Sequence, residues 1–229
     1  MKALGLIGGT TWVSTVDYYK AINQMTNERL GGLNSAKLFL YSQNMQEINE
    51  LIISGDWSKI AQLYTGIAQK LETMGAEAIV LCANTPHLVA DVIQSRIRIP
   101  IIHIAEETAK EIRRNKISKV ILLGTKFTME HEFFKKILLK HGIETVIPDA
   151  DDRNFIHNSI FTEFGKDIFK AETKKRYLEI IAKLTTTDTK GVILGCTEIP
   201  MLIHQSDCAI TTFDTTLIHA RAAVKFALD

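Results

Sequence analysis

The chain is poor in cysteine and proline and has almost no net charge, and each scarcity excludes something. Its three cysteines are an odd number with no CxxC spacing, which rules against a disulfide framework or a thiolate metal knuckle. Thiols kept reduced suit a cytoplasmic protein. A formal charge of +1 gives no electrostatic pull toward nucleic acid or an anionic membrane. No apolar run approaches the roughly 18 residues of a membrane span. The run after Met1 is cut short by Gly8-Gly9, too early for a signal peptide. Gly5-Leu6-Ile7-Gly8-Gly9 is not GxGxxG, there is no GxxxxGK[ST], and the seven histidines show no HExxH or other ligand spacing. Neither a cofactor nor a metal is expected.

What is present is alternation. In a chain of 229 residues, 46% of them apolar, short β-branched runs alternate with helical patterns. Strands are expected at residues 3–7, 37–41, 77–81 and 101–104, then at 119–124, 143–147, 191–194 and 209–213. Helices fill the intervals, one of them from Met129 to His141, and Asp214 caps the last. The strand-and-turn run Lys119–Thr125 repeats the pattern of Leu4–Thr10, so the cycle restarts near residue 105. The reading is α/β: two similar halves, each a parallel sheet with right-handed crossovers.

Ligands of such sheets bind beyond the carboxyl ends of the strands. Four turns qualify: Gly8–Thr11, Ala83–Thr85, Gly124–Thr128 and Cys196–Glu198. All are rich in small and hydroxyl residues, suited to an anion held by backbone N–H groups. Cys196 lies between a strand end and a helix start, where a thiolate is stabilised. Thr197 can cap that helix, and Glu198 is either an acid of its first turn or a polariser of Cys196. Cys82 precedes its turn by one residue and should point to the opposite face from Ala83. Cys208 reads as a small buried hydrophobe. Asp149, Asp151 and Asp152 read as a solvated loop, and the lysines of 166–190 as an exposed helix face.

Four stretches together, Gly8-Gly9-Thr10-Thr11-Trp12, Asn84-Thr85, Gly195-Cys196-Thr197-Glu198 and Asp214, resemble the aspartate/glutamate racemase superfamily over essentially the whole chain. Gly-Cys-Thr-Glu is most similar to the bacterial broad-specificity amino-acid (aspartate) racemase branch. The resemblance implies two four-stranded parallel sheets flanked by helices, in domains related by a pseudo-two-fold with the site in the cleft. The first domain would hold 1–100 plus 210–229 and the second 101–209. It implies cofactor-independent racemisation or epimerisation of aspartate, glutamate or a broader set of amino acids. One thiolate removes the Cα proton and a second thiol returns one from the other face, while preorganised donors stabilise the enolate. On this chain the catalytic thiol would be Cys196. The substrate-binding groups would be Gly9, Thr10, Asn84, Thr85, Thr125, Thr197, Glu198 and Lys166. A homodimer is implied as well.

At two positions the chain departs from that pattern. Ala83 stands at the matched first catalytic position, and alanine can neither take nor give a proton. No arginine lies in 46–49, where some aspartate racemases pair one with the substrate's side chain. The face opposite Cys196 would then be served by water or a displaced Cys82. Two alternatives follow from Ala83: a one-cysteine lyase or cis–trans isomerase on a small dicarboxylate, or a non-catalytic small-anion binding homologue.

Overall fold

The computed structural model describes all residues from Met1 to Asp229. The elements run β1 (Leu4–Gly8), α1 (Trp12–Leu30), β2 (Leu38–Ser42), α2 (Met45–Ser54), α3 (Trp57–Thr73), β3 (Ala78–Leu81), α4 (Ala90–Gln94), β4 (Ile101–Ile102) and α5 (Ile104–Arg114). They continue β5 (Lys119–Gly124), α6 (Lys126–Glu130), α7 (Glu132–Lys140), β6 (Glu144–Val146), α8 (Ala150–Thr162), α9 (Ala171–Leu184), β7 (Gly191–Gly195), α10 (Ile199–Leu202), β8 (Thr211–Asp214) and α11 (Thr215–Leu228). Two four-stranded sheets result, ordered β2-β1-β3-β4 and β6-β5-β7-β8. Every pairing is parallel.

The chain forms two compact units, Met1–Ile104 with His219–Asp229, and Ala105–Ile218. Their limits differ from the sequence expectation at both crossings. The segment 101–104 stays with the first unit because β4 pairs with β3. The segment 210–218 stays with the second because β8 pairs with β7, Leu194 opposite Asp214. The return to the first unit falls inside α11, between Ile218 and His219.

Buried on both faces, β1, β3 and β7 carry unbroken apolar runs rather than alternation. In the first unit, Leu4, Leu6, Val80 and Ile102 pack with Tyr18 and Ile22 of α1. Ala220, Ala223, Val224 and Ala227 of α11 join them, the one-face spacing of a packed helix. In the second, Ile121, Leu123, Val192 and Leu194 pack with Ile156, Phe164, Tyr177 and Ile180. Each buried Leu, Ile, Val or Phe among them contributes about 1.5–3 kcal/mol. An exposed pair such as Arg114–Glu111 contributes no more than about 1 kcal/mol, so the cores decide stability.

Two local expectations change. The helix read from Met129 to His141 is two helices, because Thr125 starts α6 earlier, its side chain accepting from the Thr128 N–H. The acidic stretch 149–152 is not a solvated loop. Asp149 caps α8, and Asp152, 2% exposed, accepts from Arg176 at 2.6 Å and Lys183 at 3.0 Å.

The first unit also buries a histidine cluster. The His87 ring centroid lies 4.6 Å from that of His103 and 5.6 Å from that of His219. His219 donates from Nε2 to the Ile102 carbonyl (2.6 Å) and accepts at Nδ1 from the Tyr18 hydroxyl (2.8 Å), which fixes it neutral. Burial lowers the His219 pKa to about 4. Burial, then its two histidine neighbours, also holds that of His87 well below the ordinary imidazole value. Unfolded histidines titrate near 6.5. Below that pH the unfolded chain binds protons that the native state does not, so stability is complete above about 6.5 and falls as pH drops toward 4. The depressed carboxylates, Glu132, Asp149, Glu163 and Asp207, act only at lower pH. We expect a lower denaturant midpoint at pH 5 than at pH 7 with an unchanged m-value. The His219→Phe variant, though less stable at pH 7, should show a shallower fall; an equally steep one would count against this account.

Candidate active site

The parallel register sorts the four turns into two adjacent pairs, one in each unit. Ile7 pairs with Leu81, and the Cys82 N–H donates to the Ile7 carbonyl (2.9 Å), so the Gly8–Thr11 and Ala83–Thr85 turns leave neighbouring strands at one level. Gly124 pairs with Gly195 in the same way, which sets Thr125 beside the Cys196–Glu198 turn. Neither of these glycines tolerates a side chain: a Cβ on Gly124 would lie 2.7 Å from the Gly195 carbonyl oxygen. Gly9 has φ +87°, and a Cβ there would meet the backbone of Gln43.

In the first unit the Gly8–Thr11 turn is internally committed. The Gly9 N–H, expected to bind an anion, donates instead to the Thr15 hydroxyl (2.8 Å), which donates on to the Thr11 carbonyl (2.7 Å). The Thr10 hydroxyl is hydrogen-bonded to Tyr64 (2.9 Å), whose pKa burial raises to about 12. Ala83 and Asn84 are buried on the neighbouring turn, and Thr85 is half-buried. Cys82 faces the opposite way, into the core among Leu6, Val80 and Ala223. Its Sγ reaches only the Val80 carbonyl (3.7 Å), and burial pushes its pKa far up. A displaced Cys82 would have to leave the core to serve the turn.

In the second unit Cys196 and Glu198 form a tight buried pair. The Cys196 thiol donates to Glu198 Oε2 at 2.9 Å, and the Thr197 hydroxyl donates to the same oxygen at 2.9 Å. All three residues are at most 8% exposed. Thr197 therefore serves the carboxylate rather than capping a helix. The helix that follows, α10, has only four residues. The expected stabilised thiolate is corrected accordingly. Burial, then the charge and hydrogen bond of Glu198, push the Cys196 pKa well up, and the backbone N–H groups of Thr197 and Glu198 offset this only in part. At rest Cys196 holds its proton, with a carboxylate placed to take it. Lys166 is exposed on the single turn after α8. No three His, Cys, Asp or Glu side chains converge as metal ligands.

Sequence alone gives His87 no role, since the histidines show no metal-ligand spacing. Its Nδ1 lies 2.9 Å from the Ala83 carbonyl, and its Nε2 accepts from the Ile104 N–H at 3.2 Å. The signal was its position four residues after Ala83, the distance at which a helical turn brings a side chain back to a carbonyl.

The Asp/Glu/hydantoin racemase family profile matches residues 7–223. The chain belongs to this family. It is 38% identical over 157 residues to the broad specificity amino-acid racemase RacX of Bacillus subtilis (strain 168), covering 69% of this chain and 67% of that one. A crystal structure of a candidate Asp/Glu racemase from Yersinia pestis aligns over the full length of both chains at 45% identity and TM-score 0.93. One of an aspartate racemase homologue from Pyrococcus horikoshii OT3 also aligns over both full lengths, at 36% identity and TM-score 0.87.

The environments of the three thiols predict their order of alkylation. Cys208, only partly buried, should react first, Cys196 slowly, and Cys82 only on unfolding. In a Cys208→Ser background, Glu198→Gln removes the charge that helps hold the Cys196 proton. The pH midpoint of Cys196 alkylation, followed by peptide mass spectrometry, should move down while staying above that of a free thiol. An unchanged or raised midpoint would refute the electrostatic role of Glu198.

Proposed function

We infer that this racemase-family chain interconverts amino-acid enantiomers without a cofactor, with Cys196 and Glu198 as its acid–base pair. The observation that carries the reading is the 2.9 Å contact between the Cys196 thiol and a buried carboxylate at the end of β7. Glu198 accepts the thiol proton and the thiolate takes the substrate's Cα proton. The electron pair passes into the carboxylate, leaving an enediolate. Thr125 and Thr197 are the donors assigned to that developing charge, and Asn84 and Thr85 are read as substrate-binding residues on the family resemblance alone. Reprotonation from the opposite face gives the enantiomer and, with alanine at position 83, falls to water, and the hydroxide so formed takes back the proton held by Glu198. The reading extends, on family resemblance, to a cytoplasmic homodimer acting on aspartate, glutamate or a broader set. No helix is long and apolar enough to cross a membrane.

Cα–H exchange in D₂O, followed by proton NMR on each enantiomer of aspartate, glutamate and small neutral amino acids, tests this. Exchange is expected for at least one pair, and Cys196→Ser should lower it by about 10²–10⁴-fold, the range of a lost general acid–base group. Absence of exchange from every amino acid would end the reading.

A second reading is favoured by Ala83 together with the inward-turned Cys82: a lyase or cis–trans isomerase that needs one proton donor. Ala83→Cys separates the two. A racemase should gain turnover from a restored second thiol, whereas a one-thiol enzyme should not. Wild-type turnover of a malonate or maleate, unimproved by Ala83→Cys, would favour the second.

A further inference from the structure

We propose that His87 is a positioning residue that holds the Ala83–Asn84–Thr85 turn in its working conformation through the Ala83 carbonyl. The proposal rests on the reading of Asn84 and Thr85 as substrate-binding residues, and it assigns a task to a side chain that makes no proton transfer itself.

The geometry is specific. The Ala83 carbonyl can only accept, so the Nδ1 of His87, 2.9 Å away, must carry the hydrogen. The Ile104 N–H can only donate, so Nε2, 3.2 Å away, must lack one. Both ring nitrogens are thereby used and the tautomer is set from two sides. The ring is 3% exposed and packed against His103 and His219, which blocks its rotation. The His87 N–H also donates to the Asn84 carbonyl (3.1 Å), so one residue secures two successive carbonyls of the turn.

The clamp also has a defined far end. Ile104 is the last residue of the first unit and the first of α5. His87 thus ties the turn to the point where the chain leaves that unit. A second anchor stands beside it: His219, the first residue after the chain returns, donates to the Ile102 carbonyl (2.6 Å). A ring serving only as filler would need neither contact, and an apolar residue of similar volume would do. Without the imidazole, two buried backbone groups would lose their partners.

Two amide substitutions divide the clamp. The Asn side-chain nitrogen occupies the place of Nδ1, so His87→Asn can still donate to the Ala83 carbonyl while releasing Ile104. The Gln side-chain end occupies the place of Nε2, so His87→Gln can still accept from Ile104 while releasing Ala83. Each leaves one buried backbone group unpaired, so both should be destabilised to a similar degree. In the D₂O exchange assay, His87→Gln should lose about 10²-fold in kcat, as for a catalytic constellation displaced by about 1 Å, while His87→Asn stays within about threefold of wild type. Equal losses in the two variants would mean a merely structural role and overturn the proposal, as would the reverse order.

Backbone hydrogen–deuterium exchange over residues 83–89 provides a readout that needs no turnover. It should accelerate in His87→Gln and stay near wild type in His87→Asn. Equal protection in the two variants would refute the clamp even in a protein that turns over nothing. A wild type inactive on every amino acid would refute the racemase reading and leave the clamp to be decided by this exchange pattern.

Discussion

Every candidate group sits where it does because neighbouring parallel strands end level with one another. Parallel pairing needs a crossover between partners, and the crossovers of this chain are helices. All loops that follow strands therefore emerge at one edge of each sheet. The registers Ile7–Leu81 and Gly124–Gly195 then bring turns more than seventy residues apart in sequence side by side. The approach at the second is so close that only glycine fits. Without that register Thr125 would not adjoin Cys196, nor the Gly9 turn Ala83.

Within that frame the chemistry is set by what burial does to charge. A thiol next to a helix N-terminus would ordinarily ionise more readily. Here the helix is too short and the carboxylate too near for that effect to prevail. The result is a thiol that burial and the neighbouring carboxylate together hold in its protonated form. Thr197 completes the arrangement by occupying the carboxylate oxygen that also faces the thiol. The carboxylate is thus oriented by two donors from adjacent residues, and its own backbone N–H helps limit the cost of a thiolate.

The fold was legible because apolar runs of strand length recur with helical intervals, and burial on both faces needs no finer code. The resemblance implied two four-stranded parallel sheets but not their strand order, and the compact units differ in their limits from the expected domains at both crossings. Local pattern cannot say which partner a short strand such as Ile101–Ile102 or Thr211–Asp214 will choose. Cys196 and Glu198 were legible from their place at a strand end. The direction of the Cys196 shift was not, since a helix start and a carboxylate act oppositely and only burial and distance decide between them. Gly9 poses a similar ambiguity. A glycine turn exposes N–H groups in principle, but Thr15, one helical turn into α1, takes this one. His87 escaped notice because its partners are backbone groups, which carry no residue signature.

Ala83 is the remaining asymmetry, and its neighbours bear on what it means. Had Cys82 faced the turn, the chain could be read as a register variant that moved its second thiol by one residue. It does not: Cys82 contributes to the core of the first unit, and a slip of one residue along β3 would expose Leu81 or Ala83 in its place. Yet the turn carrying Ala83 has not relaxed. His87 and the Ile104 N–H hold its backbone, and Asn84 stays buried beside it. A turn that had lost all function would have no need of a neutral imidazole held from both sides in an acid-sensitive cluster. A fixed backbone around an inert side chain is what the proposed reading asks of this turn: donors held in place, with the proton on that face left to solvent.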